Sequence, residues 1–160
     1  MNAPANRQKI WDTIKQVKIG MLVTQDQNEL RARPMHLVQN SYDGKLWFFT
    51  PKHSAKVNET QQENQVCITY TDSSKDIQLS LSGHARLSED LVKMKELWNP
   101  MIGAWFEGDY TSPEVALLEI TIEQGELWET KDNKLVQLFK MAKAAVSDEK
   151  PDLGHNEKFG

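Results

Sequence analysis

Apolar positions in this chain recur with two periods. Ile10, Trp11, Ile14 and Val17 fall three and four residues apart, which predicts an amphipathic helix over residues 4–17. An apolar run over 19–24 reads as a strand, Asp26-Gln27-Asn28 as a turn, and 30–39 as a second strand. Pro34 inside that strand cannot donate to a ladder, so the strand is expected at a sheet edge or a bulge. Tyr42-Asp43-Gly44 has the composition of a hairpin turn leading into a strand over 46–50. A polar helix is predicted over 54–63, then strands over 65–71 and 77–87 joined by a polar loop. Ser88 is expected to open a helix that Asn99-Pro100 ends. An aromatic loop over 101–113 follows. A final hairpin, 115–122 with 126–130, is expected to turn through Gln124-Gly125. A closing helix is predicted over 134–146. Seven strands joined largely by short turns favour an antiparallel α+β fold that curls into a small barrel with flanking helices. Residues 1–147 are expected to form a single domain, and the polar residues 148–160 a flexible C-terminal tail.

Composition narrows the class. With 160 residues, 39% hydrophobic and 26% charged, the chain suits one folded domain. A net charge of -4 argues against a general nucleic-acid binder. The one cysteine, Cys67, excludes an intramolecular disulfide and a cysteine-rich zinc site. His36, His53, His84 and His155 show no ligand spacing beside a carboxylate, so no metal site is expected. Neither a signal core nor a membrane-length apolar run is seen, and the cytoplasm is the expected compartment.

The candidate chemistry lies in two stretches. Arg31-Ala32-Arg33-Pro34-Met35 carries two guanidiniums on one face of a strand, and Phe49, Thr50, Ser54 and Lys56 follow a second strand. Arginine forks, a hydroxyl and an ammonium suit a phosphate, and the aromatic strand end suits a flat ring. Outward charges on an edge strand would look the same, and Ser54 reads equally as a helix cap. Alternation puts Trp47 and Phe49 on one face and Phe48 on the other. The density of Trp98, Trp105, Phe106 and Tyr110 suggests a buried interface.

These stretches, with Gln78-Leu79-Ser80-Leu81-Ser82-Gly83-His84-Ala85 and Ile102-Gly103-Ala104-Trp105-Phe106, resemble the FMN-binding split-barrel superfamily that includes pyridoxamine 5′-phosphate oxidase. The similarity covers roughly residues 8–130 and is greatest to the general stress protein branch. It implies a split barrel and a homodimer with flavin at the subunit interface, FMN being expected and FAD, haem or F420 being alternatives. It implies that Arg31, Ala32, Arg33, Pro34 and Met35, with Thr50, Ser54 and Lys56, hold the phosphate and ribityl chain, and that Phe49 is also cofactor-binding. By the same resemblance Gln78 contacts the ring, Trp105 comes from the other subunit, and Trp128 lies near the flavin.

Two departures count against vitamin B6 oxidation. Ser54-Ala55-Lys56 lacks an arginine that the oxidase carries, and Glu129-Thr130 stands where its basic substrate-gripping segment would be. The catalytic residues stay open. So does the choice between a flavin-dependent oxidoreductase acting on a small molecule and a non-catalytic flavin store or redox-responsive interaction protein.

Overall fold

The computed structural model describes residues 4–53, 65–130, 134–146 and 154–160. The elements run α1 (Pro4–Val17), β1 (Ile19–Asp26), β2 (Glu29–His36), β3 (Lys45–Pro51), β4 (Gln65–Asp72), β5 (Ile77–Ser88), α2 (Leu91–Leu97), α3 (Pro100–Gly103), β6 (Val115–Glu129), α4 (Lys134–Val146) and β7 (His155–Phe159). Each neighbouring strand pair is antiparallel, in the order β2-β1-β4-β5-β6-β3, with β7 also on β6. The sheet does not close, and the fold is an α+β split barrel. Among the described residues no helix is long and apolar enough to cross a membrane.

The interior face follows from strand alternation. Leu22, Phe48, Ile68, Tyr70, Leu79, Leu81, Leu118 and Ile120 are buried in one cluster that α1 covers with Ile10, Trp11 and Ile14. Lys18 ends α1 in the left-handed conformation, φ 67°, with its amide bonded to the Ile14 carbonyl. Behind β3 and β6 a second cluster forms from Trp47, Leu117, Val115 and the α2 residues Met94 and Leu97. The β3–β6 half is therefore covered on both faces. The outer face of β1, β2 and β4 is not, and it exposes Ile19, Met21 and Pro34.

Several elements differ from the sequence reading. Pro34 does sit on an edge strand, but β3 pairs with β6 and not with β2, so the turn at Gly44 makes no hairpin. The expected hairpin at Gln124-Gly125 is one continuous strand, β6. Gly125 is required there by packing: a Cβ would meet the Phe159 ring at 2.4 Å and Leu81 Cδ2 at 2.9 Å. Helix α2 starts at Leu91, because Asp90 caps it by accepting from the Val92 and Lys93 amides, while Ser88 ends β5. The tail is corrected in part. Residues 155–159 form β7 on β6, with Asn156 donating to Glu126 (2.6 Å) and Asn6 of α1 bonded to Glu157. The helix expected over 54–63 lies outside the described residues.

Two ionic clusters tie the halves together. Glu119, buried on β6, accepts from Arg86 of β5 at 2.9 Å and from Lys45 of β3. Asp43 accepts from Trp47 Nε1 at 3.1 Å and pairs with Lys93 of α2 at 2.8 Å, and the Lys93 ammonium stands 5.3 Å from the Trp47 ring centroid. Burial by itself raises the Glu119 carboxyl, but the hydrogen bonds from Arg86 and Lys45 outweigh it and hold the group below its ordinary 4.5. Burial opposes ionisation of Asp43 too, and the bonds from Lys93 and Trp47 again win, keeping it below 3.8.

Both folded values lie below the unfolded ones. Their stabilisation is complete above the unfolded pKa and is lost as pH falls through the folded values. The thermal midpoint should therefore be flat from neutrality to about pH 5 and drop below about pH 4. Asp43→Asn with Glu119→Gln should lower the midpoint at pH 7 and flatten the acid limb; circular-dichroism melts across pH 3–7 check this, and an unchanged acid limb would contradict the assignment. A second outcome concerns the bulge where β5 and β6 shift register between Ser82 and Gly83. A Cβ on Gly83 would lie 1.9 Å from the Thr121 carbonyl oxygen, so Gly83→Ala should destabilise by about 1–3 kcal/mol in urea unfolding.

Candidate functional site

Strand alternation divides β2 into two chemical faces. Arg31, Arg33 and Met35 point to the interior side, and Pro34 and His36 to the outside. Opposite Pro34 and His36, the chain leaves α2 and turns sharply. Asn99 caps α3 by accepting from the Met101 and Ile102 amides at 3.0 and 3.2 Å, and Pro100 begins the helix without needing a donor. This turn carries Met101, Ile102 and Trp105 towards β2. Phe49 of β3 forms the floor, edge-on to Trp98 with centroids 5.2 Å apart and planes at 89°.

The result is a groove of about 420 Å³ between β2, the end of β3 and the segment 99–106. Its volume falls within the range of small-molecule sites, roughly 300–1,000 Å³. Its described lining contains no lysine, arginine, aspartate or glutamate, and its polar side-chain groups are those of His36 and Asn99 and the indole N–H of Trp105. Trp105 on the rim is 83% exposed, and Met101 and Ile19 are also exposed.

Of the residues singled out from sequence, Pro34, Met35, Phe49 and Trp105 meet in this groove, Trp105 lining it from the same chain where the resemblance implies the other subunit. Ala32 shares the outer face of β2 with Pro34. Arg31 and Arg33 do not line the groove: Arg33 donates to Thr24 Oγ1 at 3.1 Å, and Arg31 pairs with Glu29 at 3.5 Å. Thr50 is fully buried on the interior side of β3. Ser54 and Lys56 lie outside the described residues. Gln78 and Trp128 are register partners on β5 and β6, and Gln78 accepts from Thr71 Oγ1 at 2.6 Å. They lie three and four strands from β2 in the order of the sheet, and neither lines the groove. One chain thus holds the expected residues in separate groups.

The sequence reading missed Ile19, His36, Asn99, Met101 and Ile102. A signal existed for His36: alternation places it with Pro34 and away from the arginines. The contribution of Asn99 depends on a capping geometry that the dipeptide Asn-Pro only hints at.

A family model described as pyridoxamine 5′-phosphate oxidase like matches residues 5–152. A search of curated proteins finds no match. Among solved structures, a protein described as general stress protein 26 from Jannaschia sp. CCS1 is similar with a TM-score of 0.75 and 28% identity, over 98% of this chain and 99% of that one. A general stress FMN/FAD binding protein from Xanthomonas citri gives a TM-score of 0.73 and 29% identity over 82% and 93% of the two chains. A general stress family protein from Xanthomonas campestris pv. campestris gives 0.72 and 30% over 83% and 93%.

The Phe49–Trp98 edge contact should carry measurable energy. A double-mutant cycle with Phe49→Leu and Trp98→Leu is expected to return a coupling of about 0.5–1.5 kcal/mol. Additive single effects would show that the groove floor and wall are independent.

Proposed function

The chain belongs to the pyridoxamine 5′-phosphate oxidase-like family, in its general stress protein branch, and on that footing we propose that it is a homodimeric flavoprotein that binds FMN. The observation that carries this reading is the convergence of Pro34, Met35, Phe49 and Trp105 on one groove. Its chemistry fits a flavin ring: apolar and aromatic walls, and a sheet-edge strand whose outward backbone groups are available to the polar edge of the ring. Likeness to the FMN/FAD binding protein of Xanthomonas citri supports it.

Arg31 or Arg33, with Ser54 and Lys56, would hold the phosphate, and Pro34, Met35, Phe49 and Trp105 the ring. Gln78 and Trp128 would reach it from the partner subunit, which gives a role to their absence from the lining of their own chain's groove. The uncovered outer face of β1 and β2, with Ile19, Met21 and Pro34, suits the contact between copies. When bound, the ring supplies hydride or electron transfer. The protein grips it, orients it and limits the access of water.

Oxidation of pyridoxamine 5′-phosphate is not expected. His84 and Arg86 share a face of β5, but they bond to Glu123 and Glu119. Glu129 is taken by Lys9 of α1. The described lining of the groove contains no lysine or arginine to meet a dianionic substrate.

FMN should bind to a species of twice 18.4 kDa in sedimentation. Lys56→Ala should weaken FMN about tenfold or more, since charge-assisted bonds contribute roughly 1.5–3 kcal/mol. Full-strength binding by that variant would remove Lys56 from the site, and a flavin-loaded monomer would overturn the shared-site reading. Bleaching of the flavin band by NADH or NADPH separates an oxidoreductase from a store.

A further inference from the structure

Helix α4 leaves an apolar stripe in water. Met141, Ala142 and Ala145 follow Leu138 by three, four and seven residues, so the four share one side of the helix. All four are exposed, Leu138 to 70% and Met141 to 56%. Among the described residues no side chain of α4 joins either core cluster or the groove of its own chain. A helix of 13 residues is marginal in water unless an apolar face is packed, so this stripe calls for a cover. Its tethers show where it is held. The chain leaves the sheet after Glu129 of β6 and returns at His155 of β7, and these two are register partners. Beside them lies the pair Trp128 and Asn156.

Charge points to the covering surface. Helix α4 carries Lys134, Lys140 and Lys143 and no acidic residue. Subtracting those three charges from the chain's formal net charge of -4 leaves -7 for the rest. A second copy therefore attracts this helix. The groove rim has the matching chemistry: Trp105 and Met101 present apolar surface, and the exposed Glu107 and Asp109 follow Trp105. We propose that α4 of one copy lies across the groove rim of its partner, its Leu138–Met141 stripe against Trp105 and Met101 of the partner subunit and its lysines in the field of Glu107 and Asp109 of the partner subunit. The proposal rests on the flavin reading, in which Trp128 reaches the partner's groove; the tethers of α4 adjoin Trp128 and bring the helix to that same groove. Placed there, α4 closes the site over a bound ring and slows the exit of ligand.

The test mixes two full-length proteins, each with Cys67→Ser, one carrying Leu138→Cys and the other Met101→Cys. Both positions are exposed, so neither change disturbs the core. After subunit exchange, bismaleimidoethane should join them into a species of twice 18.4 kDa. Its yield should exceed that of either protein alone at least fivefold. The double variant Leu138→Glu with Met141→Glu should raise the dimer dissociation constant at least tenfold in sedimentation and speed FMN release at least fivefold. Val92→Glu, an exposed change on α2, should alter neither. A cross-linking yield no higher than in the single-protein controls, or an unchanged dissociation constant in the double variant, overturns the inference. So does a double variant that loses binding to phosphatidylglycerol vesicles and keeps its dimer, an outcome that assigns the stripe to a lipid surface. A parallel FMN titration keeps the two readings apart. If the cross-link forms in protein that binds no FMN, the flavin assignment falls and the helix assignment stands. If FMN binds to a dimer that gives no cross-link, the helix assignment alone falls.

Discussion

The carbonyl of Thr121 occupies the space where a side chain at position 83 would have to begin. That close approach accompanies the bulge between β5 and β6, and a bulge bends a strand and increases its twist. It allows one fifteen-residue strand to serve two environments. Before the bulge, β6 pairs with β3 and is buried on both faces; beyond it, β6 pairs with β7 and has one face towards water. Its other edge pairs with β5 along both stretches. The position of β3, and through it of Phe49 and the groove, depends on where β6 bends.

The groove's second wall is held differently. Segment 99–106 has little regular structure of its own, and α3 is a single four-residue turn. It is anchored because α2 docks on Trp47 through Met94 and Leu97, and because Lys93 reaches Asp43 across the Trp47 ring. Charge and packing thus act on one tryptophan. Glu119, the register partner of Trp47 on β6, draws Lys45 and Arg86 to the same region. A buried carboxylate is tolerated there only because two cations answer it. These ions lie outside the described lining of the groove and help to fix its walls.

The exposed surfaces fit the same arrangement. A single chain leaves Ile19, Met21 and Trp105 in water, on the uncovered sheet face and the groove rim. Gln78 and Trp128 do not line the groove of their own chain. A second copy on that face would answer both facts, since interface cores favour aromatic and methionine side chains. The bound ring and the dimer would then stabilise each other, because each would cover apolar surface that the other needs covered.

Much of the fold was legible in the chain itself. The three- and four-residue spacing of Ile10, Trp11, Ile14 and Val17 marked α1, alternation sorted Trp47 and Phe49 from Phe48, and Pro34 marked an edge strand, because these signals rest on local geometry. Tertiary structure alone decided the rest. Gly125 has the composition of a turn, yet the ring of Phe159, 34 residues later, makes it a packing position. The polar residues at the C-terminus show no apolar alternation, and β7 forms because β6 has a free edge there and Glu126 accepts from Asn156. Gly44 looked like a hairpin, but β3 found its partner on β6. For the site, sequence named Pro34, Met35, Phe49 and Trp105 individually. It did not show that Arg31 and Arg33 stay out of the lining of the groove those residues form, nor that His36 and Asn99 complete it. Which residues share a cavity depends on strand order and on the path of the chain between elements, and neither is encoded in the local period.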